Sequence, residues 1–379
     1  MSSPAEGDAA RVRSRRSPRS DATGTSGTTG PSGKAVVAVT GAASGLGAAL
    51  AQRLSVREDV AKVVGLDSRR GVVPGVTWRV LDICDPSLAG RLGKVDTVVH
   101  LSVDTSVDAA ERTRSRNVRA AQTVLTAAAA AGVRRVVLCT SAMVYGALAD
   151  NPVPLDDDAP LRGVPDGGLL SDWLEIERLA RQAPLTHPGL QVTVLRPATV
   201  VGPGVDSVLT RHFEAPRLLV VRDSSPCWQF CHVDDLVSAL ELAALGGVSG
   251  EVTVGCDGWL GQEEVELLSG MRRIELPAAV AFGTAERLHR MGVIPAPASD
   301  LQYVVHPWVV SSRRLREAGW LPTYDNTTVL GVLLEQTSGH HAVGARRVGR
   351  RDATIGAGAA VAVVGTAALV RIARRRRRG

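Results

Sequence analysis

From Ala35 onward, short apolar runs rich in β-branched residues alternate with Ala- and Leu-rich stretches of helical length. AVVAVT (35–40), KVVGLD (62–67), VTWRVLDI (76–83), DTVVHL (96–101), RRVVLCTS (134–141) and QVTVLRP (191–197) have the length and composition of strands. Helical periodicity starts near Leu46, runs from about 107 to 131, and returns over 169–183. Near-continuous apolar strands separated by helices of ten or more residues predict a parallel sheet covered on both faces, an α/β doubly wound fold.

After Pro197 the pattern breaks into shorter pieces punctuated by Pro and Gly, which predicts a smaller C-terminal lobe over 201–338, packed across the carboxyl ends of the strands. HVDDLVSALELAAL (232–245) within it has the pattern of one amphipathic helix. Residues 1–33 carry almost no large apolar side chains and are expected to be a disordered basic tail. A Ser, Gly, His and Arg composition marks 339–352 as a linker.

Charge is unevenly placed. The chain carries +6 formally, yet residues 1–34 hold six basic and three acidic groups and residues 341–379 hold ten arginines and one aspartate, leaving the body between them net negative. Such a body has no general affinity for nucleic acid or other polyanions. Residues 353–370 form an uncharged segment of Ala, Gly and a few stronger apolar residues, followed by Arg371 and the run Arg374–Arg378. This apolar C-terminal helix with an Arg-rich end is short and weak for a membrane span, so it implies a C-terminal anchor or a helix held by anionic lipid at the inner face of the cell membrane, on an otherwise cytoplasmic protein, with a soluble, partly disordered tail as the alternative. The five cysteines, mostly in apolar runs, fit reduced buried thiols, and Cys227 and Cys231 lack the second cluster a structural metal site requires.

The candidate chemistry begins at VTGAASGLG. Gly41, Gly45 and Gly47 fall between a buried strand and a helix, where the first permits a tight turn, the second a close approach to pyrophosphate, and the third close packing of helix on sheet. Asp67 follows at the end of the second strand, placed to accept hydrogen bonds from ribose hydroxyls and to repel a 2′-phosphate. The expected cofactor is NAD, and the expected fold of residues 34–200 a dinucleotide-binding Rossmann domain; Arg69 and Arg70 leave NADP as the alternative. Asp82 falls where an adenine edge would lie, or else caps its strand end, and Leu46, Ile83 and Leu101 complete the candidate dinucleotide contacts.

Taken with LDICDP, the RNVRAAQTVL helix around Asn117, VVLCTSAMVYGA, VTVLRPATVVGPG, FCHVDDLVSALE and LREAGWLP, the chain from about 35 to 323 resembles the extended branch of the short-chain dehydrogenase/reductase superfamily, the NAD-dependent epimerases and dehydratases of nucleotide sugars. More closely, it is similar to a divergent bacterial subgroup labelled UDP-glucose 4-epimerase-like. Its glycine spacing, three residues then one, is nearer the classical than the extended pattern. The resemblance implies a Ser that orients the substrate hydroxyl, matched by Ser141, and a Tyr with a Lys four residues on that carries the proton. A phenol with a pKa near ~10 needs such an ammonium neighbour to act as a base at neutral pH. Here Leu169 and Trp173 occupy those two positions, no lysine follows Lys94, and the only tyrosines are Tyr145, Tyr303 and Tyr324.

The implied diphosphate-binding arginine four residues before His232 is Trp228, and a second falls near His306; Arg211, Arg217 and Arg222 are the other cations of the lobe. Asp172, Glu175 and Tyr145 remain as proton-carrier candidates, against a solvated helix face for the carboxylates and a turn role for the tyrosine. His232 and Asp234 are expected to cap the helix they open, and His100 to be a core or cofactor-side residue. Two functions of different class follow: hydride transfer on a sugar-like or nucleotide-sugar alcohol with a degenerate acid/base site, or a catalytically inactive NAD-binding scaffold at the membrane. The resemblance also implies a homodimer seam on the helices near 107–131 and 169–183.

Overall fold

The structure, a computed structural model, describes residues 33–104, 111–291, 297–337, 341–343 and 346–348. Of the expected tail at 1–33 all but Gly33, and the whole of the apolar, arginine-ended segment at 353–379, lie outside them. Among the described residues no helix is long and apolar enough to cross a membrane.

In chain order the sheet region comprises β1 (Ala35–Thr40), α1 (Gly45–Ser55), β2 (Val60–Asp67), β3 (Val76–Val80), α2 (Leu88–Arg91), β4 (Thr97–His100), α3 (Glu111–Ala130), β5 (Arg135–Cys139), α4 (Leu169–Thr186) and β6 (Gln191–Pro197). There follow β7 (Thr199–Val201), α5 (Val208–His212), β8 (Leu218–Val221), β9 (Cys227–Trp228), β10 (Phe230–His232), α6 (Val233–Ala244) and β11 (Gly250–Val254). Seven strands form one parallel sheet in the order β11-β6-β5-β4-β1-β2-β3, the doubly wound arrangement the apolar runs predict. Alternate residues of each strand feed two cores. Val37, Val39 and Val137 face α1 and α6, while Ala38, Val98 and Val136 face α3 and α4.

Two divisions drawn from the sequence need correction. The boundary after 200 does not separate sheet from lobe, because β11 pairs with β6 as the seventh strand and α6 packs on α1. Val252 and Val254 are fully buried on one face of this edge strand, and Thr253 is buried on the other, bonded to Asp157; position after the Pro- and Gly-rich region concealed it. Within the expected linker, His341–Val343 and Arg346–Val348 pair as a short antiparallel ladder, a pairing that a polar composition does not reveal.

The strand order reverses between β1 and β4. A parallel sheet opens a crevice outside its carboxyl ends at that switch point. Two contacts fix the crevice floor: Thr40 Oγ1 accepts from Leu101 N at 3.0 Å and from Ser102 N at 3.1 Å. With those lone pairs taken, the Thr40 hydroxyl hydrogen goes to His100 Nδ1, 2.8 Å away, which leaves the His100 proton on Nε2. That nitrogen has no hydrogen-bond partner among the described residues, and burial pushes the His100 pKa down to about 4. His100 is thus a neutral residue of the sheet core, and it does not line the crevice.

Candidate functional site

A cavity of about 570 Å³ occupies the crevice, walled by the β1–α1 turn, the ends of β2, β4, β5 and β6, helix α4, and the lobe loop 203–209. At its first wall the three glycines differ in what they permit. Gly41 has φ +67°, and a Cβ there would sit 2.9 Å from Leu101 O. At Gly47 a Cβ would meet Gly41 O at 2.2 Å, so α1 starts closer to the turn than any side chain allows. Gly45 has φ +55° with nothing within 4 Å of its absent Cβ, so its left-handed backbone borders open space at the start of α1.

Asp67 lines the same wall. Its Oδ2 accepts from Ala43 N at 3.0 Å, joining the end of β2 to the glycine turn. Beneath it lies a feature the sequence reading missed. Trp78 stands opposite Gly65 in the β2–β3 register, and its ring fills the space a Cβ would take at Gly65 (2.8 Å) and at Gly71 (2.3 Å). A glycine in a strand facing a tryptophan is the signal that could have found it. Leu46, Ile83 and Leu101 line the cavity, whereas Asp82 does not. Asp82 Oδ1 instead accepts from Cys84 N at 2.9 Å and from Arg116 Nη2 at 2.7 Å; the Cys84 amide first, then Arg116, holds its carboxyl below the usual range. Arg69 and Arg70 are exposed and do not line the cavity.

Ser141 lines the cavity at the end of β5. Its Oγ accepts from Met143 N at 3.2 Å, capping the 3₁₀ turn Ala142–Tyr145. Leu169 and Trp173, one turn apart on α4, form the wall on the same side. The three proton-carrier candidates separate. Tyr145 is fully buried, donates to Asp157 O at 3.0 Å, and accepts from Arg196 Nη1 at 2.9 Å. Arg196 forms a two-point pair with Glu177 at 2.8 and 2.7 Å, and Thr140 Oγ1 donates to the same carboxylate at 2.8 Å. Burial pushes the Tyr145 phenol up to about 12, and Tyr145 lies outside the cavity, a structural residue that anchors the Ser141 turn to α4 and β6.

Glu175 is half-exposed and held by Arg178 at 2.7 and 2.9 Å, which lowers its pKa; it too is remote from the cavity. Asp172 does not share its solvated setting. It is buried, and its Oδ2 accepts from Asn117 Nδ2 at 3.0 Å across the α3–α4 contact. Asn117 also joins the backbone of Asp104 by two bonds, so this pair ties the strand-end segment 101–104 to both helices. Among the described lining residues there is no tyrosine, lysine or histidine.

The lobe cations are similarly distributed. Trp228, at the arginine position, is buried against His212 (5.4 Å, stacked) and Phe213, with its indole N–H donated to Gln262 at 2.9 Å. Arg211 is buried and pairs with Asp206 at 2.8 and 2.6 Å; Arg222 pairs with Glu275; Arg217 is exposed. None of these, nor His306, lines the cavity, while Asp206 and Trp308 do, two residues that no local pattern singles out. His232 Nδ1 accepts from Asp234 N at 3.2 Å and caps α6, with its ring 3.9 Å from that of Tyr324. The Cys227 and Cys231 thiols face backbone carbonyls, and no cluster of metal-ligating side chains occurs among the described residues.

Residues 37–255 match a family model described as the NAD dependent epimerase/dehydratase family. An uncharacterized protein of Mycobacterium tuberculosis is 29% identical over 310 residues, 78% of this chain and 81% of that protein. Among solved structures, MoeE5 in complex with UDP-glucuronic acid and NAD superposes with a TM-score of 0.60 at 24% identity, covering 80% of this chain and 98% of that one. The Thermus thermophilus UDP-glucose 4-epimerase complexed with NAD gives 0.59 at 19% identity, over 80% and 99%. At these identities the structural likenesses establish the shared fold.

Proposed function

The chain belongs to the NAD dependent epimerase/dehydratase family, and from that premise we propose that it holds NAD over the glycine turn and exchanges hydride with an alcohol or carbonyl carbon seated beside Ser141. The observation that carries this reading is the continuity of one cavity from the Gly41–Gly47 cradle, whose close approaches a Cβ would fill, to Ser141 and on to the lobe loop. The N–H groups at the start of α1 suit a pyrophosphate, and the Asp67 carboxylate suits ribose hydroxyls and disfavours a 2′-phosphate, so NAD is preferred to NADP. NAD, when bound, supplies the acceptor for a hydride leaving the alcohol carbon.

Ser141 Oγ already accepts from Met143 N, which fixes the oxygen and leaves its own O–H to bond a substrate oxygen. The hydroxyl proton of the alcohol goes to water at the cavity mouth, because Leu169 and Trp173 stand where a phenol and an ammonium would take it. That substitution also favours a second reading, in which the protein retains NAD and serves as a binding scaffold without turnover. Attachment of such a scaffold to the membrane would depend on residues 353–379.

Calorimetric titration with NAD and NADP, followed by absorbance at 340 nm across a panel of alcohols and sugar nucleotides, tests both. Saturable NAD binding that is lost in Gly45→Asp, with turnover that falls in Ser141→Ala, supports the enzyme. Binding without turnover on any substrate supports the scaffold. Unchanged NAD affinity in Gly45→Asp refutes both.

A further inference from the structure

Sheet order divides the cavity into two halves. The ends of β1, β2 and β4 wall one, and the ends of β5 and β6 with α4 and the lobe loop wall the other. We infer that this second half takes an uncharged alcohol or carbonyl compound with an apolar body, and that it excludes nucleoside diphosphate sugars. The inference rests on the reading that NAD fills the first half and deepens it by naming the substrate class.

The first support is the lining. Leu169, Trp173, Val205, Leu209, Leu236 and Trp308 present carbon to the second half. Trp308 is buried, and its indole N–H is spent on Tyr303 O at 3.0 Å, so its ring offers a ligand an apolar face. The hydroxyls of Ser141 and Thr199 line the same half. A pocket of apolar walls with one or two hydroxyls holds a single ligand oxygen and packs the remainder by area.

The second support is charge. Among the described lining residues the one cation is Arg116, which lies on α3 beside Asp82 and Cys84, in the first half, and is already paired with Asp82 at 2.7 Å. In the second half the lining charge is the Asp206 carboxylate, whose partner Arg211 is bound to it at two points and buried behind it. A pyrophosphate brought there meets a carboxylate first. Among the described residues of this half it gains a cation by pulling Arg211 off Asp206, which breaks a two-point pair whose arginine is buried. The tryptophan at 228 cannot substitute, since its ring is committed to His212 and Phe213 and its N–H to Gln262. An uncharged ligand requires none of these rearrangements.

The test uses the full chain saturated with NAD, titrated by calorimetry with 4-tert-butylcyclohexanol as the apolar alcohol probe and with UDP-glucose as the diphosphate probe. The expected result is saturable binding of the alcohol and no saturable heat from UDP-glucose. Trp173→Ala should weaken the alcohol by tenfold or more. Should that buried substitution impair folding, Val205→Arg, in the half-exposed lobe loop, supplies the second measurement: it should weaken the alcohol and introduce UDP-glucose binding. UDP-glucose binding to the native protein as tightly as the alcohol overturns the inference while leaving the NAD reading intact, and so does failure of the alcohol to bind. Failure of NAD itself to bind, measured first and with no second ligand present, removes the reading beneath it and the inference together.

Discussion

Replacing Gly47 by alanine should damage fold and cofactor binding together, and the structure sets the size of the effect. The added methyl would lie 2.2 Å from Gly41 O and 2.7 Å from Gly41 C, both backbone atoms of the turn that opens the cavity. No rotamer relieves a clash between a Cβ and a main chain, so α1 and the turn must part by roughly an ångström. Overpacking of this kind costs about 1–3 kcal/mol, and two rigid backbone segments place it near the upper end. For a folded body of this size that is a fall in Tm of roughly 3–5 °C. Parting the turn from α1 also spreads the amide groups facing the cavity, so NAD affinity should drop with it.

Gly45→Ala separates the two effects. Its Cβ meets nothing within 4 Å, but its φ of +55° costs an L-residue about 1–2 kcal/mol. Its Tm should fall by less than that of Gly47→Ala, while the methyl projects where pyrophosphate is proposed to lie and weakens NAD binding at least as much. Gly331→Ala, in the helix Asn326–Thr337 with open space around it, is the control and should be neutral or slightly stabilising. Scanning calorimetry and NAD titration on the three variants suffice. A Gly47→Ala protein with native Tm and native affinity would refute the packing argument.

Tyr145→Phe removes a hydroxyl that bonds both Arg196 and Asp157 O, which stay bonded to each other at 3.0 Å, and should cost about 1–3 kcal/mol, with any turnover per folded molecule unchanged; full stability with lost turnover would restore it as a proton carrier. Arg196→Met removes the two-point partner of the buried Glu177 carboxylate, leaving it Thr140 and the half-exposed Arg181 at 3.9 Å, and should cost about 3–5 kcal/mol, measured by urea denaturation. Burial lowers the pKa of both His100 and His212 to about 4, below the ordinary 6.5, so the unfolded chain binds more protons between those values. Their contribution is full above 6.5 and lost as pH falls through about 4, up to about 3 kcal/mol each, and a urea midpoint that does not fall between pH 7 and pH 5 would contradict it. Asp300 has the opposite sign: burial, then Asp166, pushes it up to about 7, so its contribution is present below 3.8 and lost as pH rises through about 7. Asp300→Asn should therefore raise Tm more at pH 8 than at pH 5.

The parts of the site that were legible in the sequence are those whose physics is local. Gly41, Gly45 and Gly47 answer to a turn between a strand and the helix after it, and Leu169 and Trp173 are a fixed interval along one helix, the interval at which the family resemblance implies a tyrosine and a lysine. Tyr145, Asp172 and Glu175 have no such protection. Three residues apart on α4, Asp172 and Glu175 were expected to share a setting, yet Asn117 of α3 buries the first and leaves the second to Arg178 at the surface. Tyr145 owes its burial to Arg196 and Glu177, which are distant from it in the chain and meet it only once β6 and α4 are in place. The seventh strand went unseen for a related reason: Val252 and Val254 become sheet core only after α6 returns the chain to α1. These partners take Tyr145, Asp172, Glu175 and Arg211 out of the cavity lining and assign them to the fold, whereas Asp67, Asp206 and Arg116 still line it. A cavity with no tyrosine, lysine or histidine among its described lining residues, whose glycine turn and Ser141 still face open space, supports the proposal of a dinucleotide beside an uncharged partner.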